Sequence, residues 1–514
     1  MKRYVYMFEE NKSTKESIFL LGNKGAQLAE MSSLGLPVPP GFTITTEACN
    51  EFYDLNKKWP EGLERQVKEK LSELEKKMGK KLGDKENPML VSVRSGSYVS
   101  MPGMMDTVLN LGLNDESVKG LAKQTNNERM AYDSYRRFIN MFGDVVMGVK
   151  HEKFEGILSS VKKAKGAKFD TDLDVEALKE VVEGYKELVK KETGKMFPND
   201  PFEQLRMGIN AVFSSWNVPR AVSYRRINKL RNDAGTGVNV QTMVFGNMGE
   251  DSGTGVGFTR NPSTGKKEHY GEYLINAQGE DVVAGIRTPE PIDEMKKKLP
   301  EAYVELLKIY EKLETHYREM QDFEFTVERG TFFLLQTRSG KRTAMAAVKI
   351  AVDMVKEKLI SKEEALLRVK PEQLDQLLHK MVDPDEKTEK IAKGLAASPG
   401  AAVGKAVFTA EKAKEMVDGN PKERIILVRT ETSPEDIEGM HAAQGILTSR
   451  GGLTSHAAVV ARGMGTPCVA GAGEIHISEK DGQFTAGDVT VKEGDWLTLD
   501  GAKGEVYSGE LKLV

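Results

Sequence analysis

Apolar residues recur along this chain with two different periods, and the places where the period changes mark out its parts. Leu173, Val175, Leu178, Val181, Val182, Tyr185, Leu188 and Val189 follow the three-and-four spacing of one helical face. Gly194 stands where a left-handed helix cap belongs. The stretch from about 115 to 230 reads as mainly helical, with at least one of the adjacent Arg136 and Arg137 a solvated or ion-paired residue on one helix. Residues 57–87, rich in Lys and Glu at helical spacing, predict exposed helices. Leu36–Phe42, with its three prolines, predicts an extended connection. Short β-like runs at Val91–Gly96, Val238–Phe245, Ile425–Arg429 and Gly445–Thr448 predict strands, and Asp495–Asp500 and Glu505–Tyr507 read as closing strands. After Arg338 amphipathic helices continue to about His379, and the charged Met381–Lys393 reads as a solvated linker. The fold class expected is therefore a multidomain α+β and α/β chain. Its parts are an N-terminal subdomain (1–112), a mainly helical one (113–235), a second α/β subdomain (236–380), a linker (381–395) and a small β/α domain (396–514).

One period-two segment carries polar residues in register. In Asp322–Val327 and Thr331–Arg338 the odd positions 323, 325, 327, 333 and 335 are apolar, whereas Asp322, Glu324, Gln336 and Arg338 are even. Side chains alternate faces in a strand, so a loop of odd length sets all four polar residues on one face. A three-residue turn, Glu328–Gly330, does this. Two acids and an amide on one face can hold Mg²⁺ through oxygen while Arg338 reaches a phosphate. The competing reading is the solvent-facing side of an edge hairpin.

Length and composition narrow the class. At 514 residues the chain exceeds one core, and 39% apolar with 29% charged residues describes an ordinary water-facing protein. A formal net charge of −3 gives no electrostatic case for nucleic acid or an acidic membrane. Two cysteines, Cys49 and Cys468, make no disulfide framework and suit a reducing compartment. No apolar run reaches membrane-spanning length, and Tyr4–Phe8 is too short for a signal segment, so a cytoplasmic enzyme is the expectation.

The candidate chemistry centres on Gly451–Gly465. A diglycine turn, two hydroxyl residues (Thr454 and Ser455), then His456 at a helix start place an imidazole where unpaired backbone N–H groups and the helix dipole favour an anion. Neutral imidazole is a competent nucleophile. On spacing alone, a packed or capping histidine is the commoner outcome. Gly22-Asn23-Lys24-Gly25 offers turn amides and a lysine to phosphate, without the Walker A spacing; a solvated turn lysine is the plainer reading. Arg94, at a strand end entering a glycine turn, suits polyphosphate, and a surface arginine fits equally well. Gly253, Gly255 and Gly257 predict a loop whose amides approach phosphates as a lid, although such a pattern also marks hairpins. The remaining histidines (151, 269, 316, 379, 441 and 476) lack metal-ligand spacing.

The run G-G-L-T-S-H-A-A-V-V-A-R-G-M-G at Gly451–Gly465 resembles the phosphohistidine motif of the pyruvate phosphate dikinase family. Met101–Thr107 resembles the same family and departs from the corresponding loop of phosphoenolpyruvate synthases, and the 322–338 segment resembles the metal-binding hairpin of an ATP-grasp fold as dikinases carry it. The resemblance runs from Phe19 to about Gly509. It implies an ATP-grasp domain with a helical insertion and a small swivelling phosphohistidine domain. It also implies nucleotide binding by Lys24, Arg94, Gly253, Gly255, Asp322, Glu324, Gln336 and Arg338, with Mg²⁺ on Asp322, Glu324 and Gln336. His456 is then the phosphoryl carrier: ATP yields AMP, the β-phosphoryl group reaches the imidazole, and orthophosphate leaves as diphosphate. Thr454 matches a threonine that regulated plant members phosphorylate; a capping hydroxyl is the alternative. Full-length members continue into a pyruvate- or phosphoenolpyruvate-binding barrel and pair as homodimers. Nothing after Val514 supplies that barrel, so the expectation is the nucleotide half-reaction, with the barrel missing or separate. The alternatives are a phosphoenolpyruvate synthase-type enzyme using water as acceptor, and a non-catalytic phosphocarrier.

Overall fold

The computed structural model describes residues 2–10, 17–101, 103–279, 281, 289–375, 380–383, 385–386 and 388–514. They fall into two compact units. One is Met1–Met248 with Phe333–Gln336; the other is Gly249–Phe332 with Thr337–Val514.

The first unit is built on a five-stranded sheet of β1 (Val5–Met7), β2 (Gly41–Ile44), β3 (Val91–Gly96), β4 (Thr107–Leu111) and β5 (Gly237–Thr242), in the order β1-β2-β5-β3-β4. Helix α1 (Ser17–Ser33) is broken at Gly22, whose φ of 71° and ψ of 163° are not helical. A side chain there would meet the Gly96 carbonyl oxygen at 1.7 Å, so only glycine lets the α1 turn rest on the end of β3. The 115–230 stretch is helical as expected. Its α2 (Val175–Thr193) starts on the Asp174 side chain, ends at left-handed Gly194 and buries Ala177, Leu178, Val181, Val182, Tyr185 and Val189. Arg136 and Arg137 are both ion-paired with Asp133, at 2.8 and 2.9 Å. The lysine-rich region holds one helix, Leu63–Met78, that is exposed on one side only: Leu63, Val67, Leu71 and Leu74 are buried.

The second unit contains the sheet β6 (Gly253–Phe258), β7 (Tyr270–Ile275), β8 (Glu290–Pro291), β9 (Gln321–Glu328) and β10 (Thr331–Ser339), ordered β8-β7-β6-β9-β10. Here the structure corrects the sequence twice. Gly253 and Gly255 are not in a loop: they lie within β6, which pairs antiparallel with both β7 and β9. Added side chains at Gly255 and Gly257 would meet the rings of Phe325 and Phe323 at 2.6 and 2.5 Å. The glycines make room for two phenylalanines of the neighbouring strand, and their amides belong to a sheet ladder.

The hairpin turn is also shorter than expected. Arg329 and Gly330 alone connect β9 to β10, with φ of 46° and 77°. Positive φ at both central residues defines the two-residue turn that matches strand twist. An even turn reverses the expected parity. Phe325 and Phe332, an odd and an even position, stack at 5.1 Å. At the far end Arg338 nonetheless reaches Asp322, with Nε–Oδ1 at 2.5 Å. The four polar residues therefore do not follow from a single alternating face.

Against this sheet pack α3 (Pro300–Tyr317) and α4 (Ala344–Lys356), with Val256, Phe258, Leu274, Met320, Ile350 and Met354 in one apolar cluster. The rest of the unit is an eight-stranded sheet of β11 (Lys390–Lys393), β12 (Leu395–Ser398), β13 (Ala401–Val407), β14 (Ile425–Arg429), β15 (Gly445–Thr448), β16 (Cys468–Ala470), β17 (Trp496–Asp500) and β18 (Glu505–Ser508). Their order is β11-β18-β17-β13-β14-β15-β16-β12, with β13 to β16 parallel. The predicted linker 381–395 is thus corrected: Lys390–Lys393 is a strand paired to β18. A small sheet at 475–492 was not foreseen, because its strands are only four residues each. His379 lies outside the described residues. No helix among the described residues is long and apolar enough to cross a membrane.

Replacing Gly257 by valine is expected to lower unfolding stability by about 1–3 kcal/mol through overpacking against Phe323. Gly156→Ala, in a helix with open space around it, is expected to change stability by less than about 1 kcal/mol. Urea unfolding of both variants checks this; equal midpoints would contradict the packing account.

Candidate active site

The strand β15 delivers the chain into 449–455 and then into helix α5 (His456–Met464), which closes at left-handed Gly465 with φ of 72°. Ser455 is the extended N-cap, and its side chain makes no cap hydrogen bond. His456 is therefore the first helical residue, at the positive end of the helix dipole as the sequence predicts. Beside it, Ser433 and Asp436 form a capping box that starts the turn Pro434–Asp436. That box fixes the chain one residue after Thr432, whose Oγ1 lies 2.9 Å from His456 Nδ1.

The two ring nitrogens are differently placed. Nδ1 has the threonine; Nε2 is buried without a hydrogen-bond partner among the described residues. With the hydroxyl accepting from Nδ1–H, the lone pair lies on Nε2. Burial pulls the imidazole pKa down to about 4, with the charge of Lys341 adding to the effect and that of Glu435 opposing it. At neutral pH the ring is thus uncharged, the form in which an imidazole nitrogen can act as a nucleophile.

The residues facing this helix come from the β6–β10 sheet of the same unit. Thr454 Oγ1 donates to Glu272 Oε2 on β7 at 3.0 Å. Burial raises the Glu272 pKa against the bonds from Thr454 and Leu453. Arg462 folds back along α5, donating from Nε to the Ala458 carbonyl at 3.1 Å and from Nη2 to that of Leu453. Its Nη1 is buried without a partner, and burial lowers its pKa. Lys341 follows the hairpin, and its Nζ lies 3.3 Å from where a Gly463 Cβ would stand. Burial, reinforced by Arg338, brings Lys341 down to about 8. Asp322 is pushed up to about 6 by burial, with Glu324 adding to the rise and Arg338 opposing it. For Arg338 burial is the largest influence, but the charges of Asp322 and Glu324 outweigh it and raise the pKa. The helix carrying the imidazole and the acid-arginine cluster of the hairpin are parts of one charged, poorly hydrated region.

The other expected residues are distributed as follows. In the first unit the Lys24 Cβ lies 3.2 Å from where a Gly96 Cβ would stand, and Arg94 is two residues earlier on β3, so the structure brings the α1 turn and the strand end together. Gln336 is buried, and its Oε1 has no hydrogen-bond partner among the described residues. Four side chains of the site went unnoticed in the sequence: Glu272, Lys341, Thr432 and Arg462. Arg462 stood inside the histidine motif and Thr432 just before a clear helix start, so both were legible by position. Glu272, on β7, and Lys341, two residues past the end of β10, are remote in sequence, and no local pattern points to them.

The family profile described as "Pyruvate phosphate dikinase, AMP/ATP-binding domain" matches residues 18–77, 55–303 and 292–359, and that described as "PEP-utilising enzyme, mobile domain" matches 421–504. The chain belongs to the pyruvate phosphate dikinase family. It is similar to proteins named pyruvate, phosphate dikinase: 56% identical over 515 residues to that of Clostridium symbiosum, covering 100% of this chain and 58% of the relative. Against that of Rhizobium meliloti (strain 1021) it is 54% identical over 528 residues (100% and 59%), and against the chloroplastic form 1 of Arabidopsis thaliana 57% over 507 residues (98% and 52%). The chain spans between half and three-fifths of the length of these relatives.

Because the folded pKa of His456, about 4, lies below its ordinary value of 6.5, burying it neutral contributes stability that is complete above pH 6.5 and is lost as pH falls toward 4. In imidazole NMR of histidine-labelled protein, one resonance, absent from His456→Asn, is expected to stay neutral down to about pH 5. A His456 midpoint near 6.5 would contradict the buried, neutral assignment.

Proposed function

We propose that this chain carries out the nucleotide half of the dikinase reaction: ATP and orthophosphate give AMP, diphosphate and a phosphoryl group on His456. The observation that carries the reading is the bare Nε2 of a neutral imidazole at a helix start, in the same unit as the Asp322–Arg338 pair. In this reading Nε2 displaces AMP from the β phosphorus, and the bridging oxygen leaves with AMP and takes the bond's electron pair. Orthophosphate takes the γ group as diphosphate, so phosphorus and oxygen balance. The threonine on Nδ1 takes up the positive character that the ring gains as the N–P bond forms.

The fold that supports this is an ATP-grasp domain with a helical insertion, joined to a swivelling phosphohistidine domain. Lys24, Arg94 and Arg338 are assigned to the nucleotide phosphates, as guanidinium and ammonium groups suited to them. Gly253 and Gly255 are assigned to the floor of the site, not to a lid, since they are strand residues. The fit of Mg²⁺ rests on the chemistry of the donors: two carboxylates, one of them raised to about 6, and an amide oxygen without a partner are the oxygen ligands a hard cation takes. Asp322, Glu324 and Gln336 would hold the ion, which when bound supplies charge neutralisation for the phosphates. The complete activity toward pyruvate, with a barrel domain as partner and a homodimer as the assembly, is proposed on the same footing.

Intact-mass spectrometry after incubation with Mg-ATP and orthophosphate tests the reading. Wild type is expected to gain one acid-labile phosphoryl group and release AMP, His456→Ala none, and Glu324→Gln on the order of 10²-fold less per unit time. Without orthophosphate the ring is expected to keep a diphosphoryl group; a single phosphoryl group formed there would favour the water-using alternative. Retained labile phosphate in His456→Ala would refute the site.

A further inference from the structure

Helix α5 presents more than His456 to the sheet it faces. Seven residues are two helical turns, so Gly463 lies on the same face as His456, and the Cβ direction of a helix tilts toward its N-terminus. On that face, against the missing side chain of Gly463, sits Lys341. Its ammonium is the nearest atom, at 3.3 Å from the ideal Cβ position, with Cδ at 3.8 Å and Cε at 4.0 Å. Any larger residue at 463 would push the ammonium away from the helix. Lys341 enters from the hairpin end, three residues after Arg338, whose guanidinium is taken up by Asp322. Among the described residues Lys341 makes no ion pair of its own. Next to it on α5 is Arg462, 5% exposed, whose Nη1 has no partner. A half-buried lysine against the His456–Gly463 face, a buried arginine with one unpartnered nitrogen beside it and a bare imidazole nitrogen at the helix start describe a seat for a multiply charged anion.

We propose that Lys341 is a phosphoryl-binding residue of the histidine-loading step, reaching across from the nucleotide hairpin to hold the phosphorus-bound oxygens as the group passes to His456 Nε2. The inference rests on the phosphohistidine reading above and adds to it the residue that bridges hairpin and helix. Lys341 takes no part in bond making. It contributes charge and N–H donors where negative charge gathers on the oxygens, and the glycine at 463 is the fitting that lets it do so. Such preorganised donors act on the transition state more than on the bound nucleotide.

The test compares wild type, Lys341→Met, Lys341→Arg and His456→Ala in rapid-quench loading with Mg-ATP and orthophosphate, beside equilibrium binding of a non-hydrolysable ATP analogue. Lys341→Met is expected to load on the order of 10²-fold more slowly, with analogue affinity within about threefold of wild type. Lys341→Arg should recover to within about tenfold of wild type, since the charge and donors return. Loading of Lys341→Met at the wild-type rate overturns the assignment, and so does a loss of analogue affinity as large as the loss of rate. A wild type that never loads overturns the underlying reading as well, which separates the two failures.

Discussion

The contact between Thr432 and His456 decides what the rest of the site can do. A histidine that accepts a phosphoryl group must be neutral and must keep one ring nitrogen free of hydrogen-bond partners, as Nε2 is here. A hydroxyl 2.9 Å from Nδ1 holds the ring, and burial keeps it uncharged well below neutral pH. The helix start supplies the electrostatics. At the first position of α5 the backbone N–H groups are unpaired within the helix, so an anion delivered to Nε2 meets donors instead of carbonyls. Each of these three features is available to many histidines. Their coincidence on one ring is what supports the proposed carrier role.

A second constraint comes from the sheet that faces the helix. Charges that would normally be solvated are gathered there without full compensation: Asp322 is raised by burial, Lys341 and Arg462 are lowered by it. A protein that only needed stability would replace such groups with apolar ones at little cost. Keeping them is consistent with a site whose charges are completed by a ligand. The Thr454–Glu272 bond shows the same economy, since a phosphate on Thr454 would set its charge against a buried carboxylate.

Much of the fold could be read from the chain, and the failures have identifiable causes. The helical stripe of α2, its Gly194 cap and the strand leading to His456 all stood in local pattern, because caps and periodicity are local physics. The glycines of β6 misled because glycine spacing cannot distinguish a phosphate loop from a strand whose neighbours carry Phe323 and Phe325; only the partner strand shows the difference. The hairpin parity failed for a similar reason. Alternation was read correctly on each strand, but one residue of turn length reverses their relation, and Arg329 at positive φ is not foreseeable from its side chain. Arg462 lay within the Gly451–Gly465 run, whereas Glu272 and Lys341 join the site only through tertiary packing.

The most direct test of the central claim is the position of the phosphoryl group on the ring. ³¹P NMR of the loaded, unfolded protein in alkaline solution distinguishes the two phosphohistidine isomers. If Thr432 occupies Nδ1 and Nε2 is the open nitrogen, the spectrum shows the Nε2 isomer alone. An Nδ1-phosphorylated ring would mean that the threonine contact is not what orients the nucleophile, and the account built on it would fall.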